Sequence, residues 1–108
     1  MICDFCREEF SHNPYVITKT IITDSSKGVK LEFNFCSHTC MIAEKIFALL
    51  QRIADENESV LQRDELFSTI KNNVMGMSDC TEDEYKEGLK RFNKCCVVLD
   101  DDEIEKYL

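Results

Sequence analysis

Between residues 29 and 35, Val29, Leu31, Phe33 and Phe35 alternate with Lys30, Glu32 and Asn34. A period of two marks a strand buried on one face. The run before it, residues 15–23, is rich in β-branched side chains, which suit a pleated surface. Residues 24–28, Asp-Ser-Ser-Lys-Gly, read as a turn, so the two runs predict a β-hairpin. The period then changes to a helical one. Ile42, Ile46, Leu49, Leu50 and Ile53 share one face, and Ala43, Phe47 and Ala54 broaden it. That width predicts a helix buried on more than one side, capped by Ser37 and ending near Asp55, Glu56 and Asn57.

Further along, Val60 and Leu61 read as a short strand. Residues 64–72 read as a helix with Leu66, Phe67 and Ile70 inward, broken by Gly76. Residues 81–93 read as another, with Tyr85, Leu89 and Phe92 inward. It opens on Thr81 with Glu84 three positions on, the capping-box spacing. Residues 95–99 predict a strand, 100–103 a turn and 104–108 a returning strand. At the other end, residues 1–14 form a knuckle and loop closed by Ser11, His12, Asn13 and Pro14.

The chain has 108 residues, enough for one domain or two very small ones. Three glycines and one proline exclude a linker-like or disordered composition. No run of about 18 apolar residues exists to span a membrane. The first residues, Met1-Ile2-Cys3-Asp4, show no basic and apolar leader, so the expectation is an intracellular protein in a reducing compartment. There, seven cysteines point to metal or free thiols rather than disulfides. Net charge is -8, and residues 41–108 hold sixteen of the acids against nine basic residues. Such a field repels phosphate backbones unless the cations cluster on one face.

Four cysteines have ligand spacing. Cys3 and Cys6 are separated by two residues, Cys36 and Cys40 by three, and the 29-residue spacer holds the whole hairpin. Two close pairs supply four thiolates to a tetrahedral ion with little chain ordering, so Cys3, Cys6, Cys36 and Cys40 are read as the ligands of one structural Zn2+. Cys40 falls in a first helical turn, where the dipole favours thiolate. The alternatives are buried or free thiols and a redox dithiol at Cys3 and Cys6, although no thioredoxin-like strand precedes that pair. A catalytic zinc is disfavoured because four thiolates leave no open position. His12 and His38 could each replace a ligand, but read as solvated. Cys80, Cys95 and Cys96 lack the spacing for a second site. One of the adjacent pair is expected in the core, and Cys80, just before a helix, is expected to be somewhat reactive.

Cys3-x2-Cys6 followed by Phe35-Cys36-Ser37-x-x-Cys40 resembles the treble-clef zinc fingers of the TRASH, YHS and MYM type, over about residues 1–47. The resemblance implies a hairpin-plus-helix finger and a zinc ion more than an activity, since its members include ribosomal, transcriptional and metal-sensing proteins. The remainder, in the order helix, strand, helix, helix, strand, strand, is that of a winged helix. Residues 43–108 resemble the C-terminal module of minichromosome-maintenance helicases at Val60-Leu61-x-x-Asp64-Glu65-Leu66, Thr81-Glu82-Asp83-Glu84-Tyr85 and Val97-Val98-Leu99. A plain three-helix bundle is the alternative. The expected class is therefore α+β, with a treble-clef finger over 1–41 fused to a winged-helix-like domain over 42–108 through a shared helix, 37–54.

In a winged helix, residues 81–93 take the recognition position. They open with Glu82, Asp83, Glu84 and Glu87, and the cations Lys90, Arg91 and Lys94 come late, where they also suit the helix dipole. The expected wing carries Asp100, Asp101, Asp102 and Glu103. These acids favour a non-enzymatic adaptor or regulator that binds a basic protein partner in transcription or replication machinery, although a plain solvated acidic surface accounts for them equally. A DNA-binding regulator, as a homodimer in one version, is the alternative. Its contacts would come from Lys90, Arg91 and Lys94 or from Lys19, Lys27 and Lys30, against the net charge. The chain shows no Ser/His/Asp set, no phosphate-binding Gly loop and no open metal site, so an enzyme ranks last. No membrane partner is expected, and the oligomeric state is left open.

Overall fold

The computed structural model describes residues 1–22, 28–56, 63–78 and 80–108. Two strands, β1 (Tyr15–Ile22) and β2 (Gly28–Phe35), precede four helices: α1 (His38–Glu56), α2 (Arg63–Ser78), α3 (Glu82–Cys96) and α4 (Asp101–Tyr107). The class is mixed α+β, as the pattern predicts. Of the turn expected over 24–28, residues 24–27 lie outside the described residues, as do the strand at 60–61 and the helix end at Asn57, and Gly28 opens β2.

β1 and β2 pair antiparallel, with Tyr15 opposite Phe35, Ile17 opposite Phe33 and Lys19 opposite Leu31. These residues share one face of the ribbon. Its base is covered: Phe35 is buried with Cys3, Phe10 and Cys40, and Ile17 and Phe33 pack against them. Lys19 lies over the Phe33 ring, 5.1 Å from its centroid, and reaches Glu44 of α1 at 3.7 Å. Farther out, Val29 and Leu31 are exposed.

α1 starts where expected. The Ser37 hydroxyl accepts from the Cys40 amide at 3.2 Å, satisfying one of the free donors of the first turn. The helix then enters a second, larger core. Ile42, Ala43 and Ile46 are fully buried there with Phe67, Ile70 and Val74 of α2 and Tyr85, Leu89 and Phe92 of α3. Phe47, expected on the buried stripe, is 37% exposed instead. The Thr81 capping box is complete: its hydroxyl accepts from the Glu84 amide at 3.2 Å, and Glu84 Oε1 accepts from the Thr81 amide at 3.0 Å. Those bonds to Thr81 hold the Glu84 carboxyl below the ordinary range.

Four local expectations are corrected. α2 does not stop at Gly76 but continues to Ser78, because buried Val74 makes the last turns worth keeping despite a glycine. α3 runs on to Cys96, so residues 95–99 form no strand. Val97 closes the helix in the left-handed region, at φ 50°, and its amide donates to the Asn93 carbonyl. The Asn93 side chain then holds the exit: Oδ1 accepts from the amides of Val98 and Leu99, and Nδ2 donates to the Leu99 carbonyl. One amide thus satisfies backbone groups that a strand would have paired in a ladder. Finally, 100–103 is not a turn and 104–108 not a strand. Asp100 precedes α4, and Asp101, Asp102 and Glu103 make its first turn, where acids suit the positive end of the helix. Among the described residues β1 and β2 form the one sheet, so no wing follows α3.

Gly88 sets how close α1 and α3 come. A Cβ built there would collide with Ile42 Cγ2 and lie 2.9 Å from Ile42 Cβ, whereas one at Gly76 meets nothing within 4 Å. The same substitution therefore has opposite signs at the two positions. Gly76→Ala is expected to raise stability by about 0.5–1 kcal/mol through helix propensity. Gly88→Ala is expected to lower it by about 1–3 kcal/mol, because the clash outweighs that gain. Urea unfolding of both variants checks this. Equal shifts of one sign would show that α1 and α3 are not in close contact at Gly88.

Tyr85 is fully buried, and among the described residues its hydroxyl has no hydrogen-bond partner. Burial pushes the phenol well above its ordinary range. An orphaned buried hydroxyl costs about 1–3 kcal/mol. Tyr85→Phe should leave stability unchanged or raise it, by up to that amount; a clear loss in the same unfolding measurement would mean that the hydroxyl is satisfied.

Candidate metal centre

The first pair of cysteines sits on a knuckle tied to itself and to β2. The Cys3 amide donates to the Glu8 carbonyl, and the Arg7 amide to the Cys3 carbonyl, both at 3.0 Å. Arg7 takes φ 65°, the left-handed conformation that lets this short loop reverse. Asp4 clips the knuckle to the end of β2: its amide donates to the Asn34 carbonyl at 2.8 Å, and its carboxylate accepts from the Asn34 amide at 2.6 Å. The clip lies one residue beyond Cys3 on one side and two before Cys36 on the other. It brings the two ends of the 29-residue spacer together.

The second pair straddles the start of α1, with Cys36 just after β2 and Cys40 in the first helical turn. The four sulfurs all lie within 4.8 Å of one another, with Cys6–Cys36 at 3.6 Å and Cys36–Cys40 at 3.7 Å. An ion bound tetrahedrally through metal–sulfur bonds of about 2.3 Å places its sulfurs about 3.8 Å apart. The donor set thus fits a metal ion without rearrangement of the backbone. Cys3 and Cys40 are fully buried, and Cys6 and Cys36 half-buried. Among the described residues this is the group of side chains that could hold a metal.

The sulfurs differ in their protonation. Burial opposes the Cys3 thiolate, but the backbone amides of Cys36, Cys6 and Phe5 outweigh it and bring the thiol down to about 7. Burial pushes Cys6 up. Cys40 is raised strongly, by burial first and by its neighbour Cys36, with the Ser37 hydroxyl in opposition. Without a cation the cluster therefore holds protons that a metal must displace.

Neither histidine joins the set. His12 Nε2 donates to the Cys36 carbonyl, and its ring lies 4.9 Å from Phe10. His38 Nδ1 lies 2.7 Å from Glu84 Oε2, linking the first turn of α1 to the cap of α3. Lys90, Arg91 and Lys94 do converge, around a shallow groove of about 220 Å³ that Thr39 and Glu87 also line. Lys90 reaches Glu87 at 3.6 Å.

The remaining thiols fall differently from their expectations. Cys80 is buried, its Sγ lies 3.9 Å from the Val74 carbonyl, and burial raises its thiol, so it is not an activated nucleophile. Cys96 packs against the larger core and Cys95 is exposed, but on a helical turn rather than a strand. The Asp4 clip was not anticipated. A short carboxylate inside a Cys-x-x-Cys knuckle is the signal that could have revealed it, because such side chains readily accept from nearby amides.

Cys36→Ser removes the sulfur that lies within 3.7 Å of both the Cys6 and the Cys40 sulfurs. Bound metal per chain should fall well below that of the parent protein, with a lower unfolding midpoint. Elemental analysis and circular dichroism check this, and full metal retention would remove Cys36 from the donor set. Metal uptake should also release protons, so affinity should weaken as pH falls. A pH-independent affinity would contradict thiolate ligation.

No helix of the described residues is long and apolar enough to cross a membrane. No family model, curated protein or solved structure matches this chain.

Proposed function

We propose that Cys3, Cys6, Cys36 and Cys40 hold a single structural zinc ion, and that the chain is a non-enzymatic adaptor acting through protein contacts. The observation that carries the reading is the closed cluster of four sulfurs at the start of α1. Four thiolates fill a tetrahedral zinc shell and leave no position for substrate or water. All-thiolate ligation suits zinc among the common divalent ions, and zinc would supply cross-linking of the knuckle to α1 rather than chemistry. The hairpin followed by a helix bearing the last ligand supports the treble-clef resemblance. Transcription or replication machinery enters through that resemblance. Of the winged-helix resemblance, α1, α2 and α3 keep their order, and α4 stands where the wing was expected.

Charge supports a basic protein partner. Glu82 and Asp83 open α3, and Asp102 and Glu105 lie on α4, all exposed. The DNA-binding reading is kept for one observation, the convergence of Lys90, Arg91 and Lys94 on one groove. Three cations on a chain of net charge -8 make a small footprint for a phosphate backbone.

The parent protein should contain one zinc per chain and lose its fold with a strong chelator. A metal-free protein that stays folded and ignores the chelator would refute the metal reading. For the partner, duplex DNA and a Lys/Arg-rich peptide should be titrated at low salt. The adaptor reading expects peptide binding that weakens on Asp83→Lys and Glu105→Lys, with DNA left unbound. Tight DNA binding that is lost steeply with salt, and on Arg91→Ala, would establish the alternative.

A further inference from the structure

The corner between α3 and α4 carries a groove of about 460 Å³. Lys90 and Lys94 of α3, Asp100 and Asp101 at the start of α4, and Val97, the residue that closes α3, all line it. Three features of this corner bear on what it could meet.

The first is Val97. It occupies the left-handed region at φ 50°, where a β-branched side chain is a conformational outlier and glycine is the usual residue. It is also 77% exposed, with the neighbouring Val98 at 37%. Strain and exposure both argue against valine here in an isolated monomer. The second is the cations. Among the described residues Lys94 makes no ion pair, and Lys90 has only its exposed contact with Glu87. The third is the acids. Asp100 and Asp101 are exposed and likewise make no ion pair among the described residues, although Lys90 and Lys94 line the same groove.

Cations from one helix and acids from the next, joined through an exposed apolar residue, can form a self-complementary surface. Under a two-fold axis through the corner, the cations of one copy meet the acids of the other twice over, and the two Val97 side chains meet near the axis. We propose that this corner is an isologous interface, and that its occupant is a second copy of this chain. A partner of uniformly basic or acidic character fits less well, since it would match one flank and be repelled by the other. Burial between two copies would also account for a strained valine where glycine would serve the monomer better.

The test is a charge-exchange experiment on the intact, metal-loaded chain, read by sedimentation equilibrium. One variant carries Lys90→Glu and Lys94→Glu, the other Asp100→Lys and Asp101→Lys. Each alone should weaken self-association at least about tenfold, because both copies of the contact then face like charge. Mixed in equal amounts the two should form a heterodimer, because every contact again pairs opposite charges. Circular dichroism and metal content establish that each variant is folded. Val97→Gly supplies a second, independent readout: it should raise the unfolding midpoint of the monomer while weakening the dimer. A parent protein that stays monomeric up to about 1 mM, a range that covers weak dimers, would overturn the proposal. So would a dimer that both folded variants leave intact, or two folded variants that stay monomeric when mixed.

Discussion

The first two turns of α1 bear on everything else. Cys40 belongs to the sulfur cluster, and Ile42, Ala43 and Ile46, two to six residues later, are fully buried in the larger core. A helix fixes the angles between these side chains, so the position of the cluster and the position of the core are not independent. Ser37 satisfies the amide at the helix start, and His38 reaches the cap of α3 through Glu84. An ion at the cluster would therefore hold the end of a helix whose middle is packed against α3. This is the physical content of a shared helix, and it is why loss of metal should be felt beyond the knuckle.

The contact between α1 and α3 depends in turn on a missing side chain. Gly88 lets Ile42 sit against the α3 backbone, at a position where alanine would be the better helix former. Close packing there and an orphaned Tyr85 hydroxyl a few residues away lie in one small core. In a chain of this size the buried area is limited, so a metal cross-link at one end of α1 would be a substantial part of what holds the fold together.

Charge is arranged against that framework rather than within it: no charged side chain is buried among the described residues. The acids at the starts of α3 and α4 sit at positive helix ends and are locally favourable there. That local reason is sufficient for their presence at the termini. It does not account for cations and acids that line one groove without pairing with one another among the described residues, or for an exposed valine in the same groove. Those features lie on the surface left over once the core and caps are made.

The residues that the sequence by itself determined are those whose signal is local. The hairpin follows from alternation over 29–35, the capping box from Thr81 and Glu84, and the inward set Tyr85, Leu89 and Phe92 from helical spacing. The cysteine quartet follows from two close pairs, and the fold brings all four sulfurs together. What only tertiary structure decided depends on partners distant in the chain. Val97, Val98 and Leu99 have strand propensity, yet the Asn93 amide takes their backbone groups and turns the chain into α4. Propensity for a strand is propensity for a pleated, half-buried surface, and no second strand lies there to supply it among the described residues. Gly76 looked like a break because its cost is intrinsic, whereas the benefit that overrides it, packing of Val74 on the core, is not visible locally. The Asp4 clip and the Gly88 contact likewise join positions about 30 and 46 residues apart. Spacing therefore singled out the four cysteines, and long-range hydrogen bonding and close packing decided how they meet.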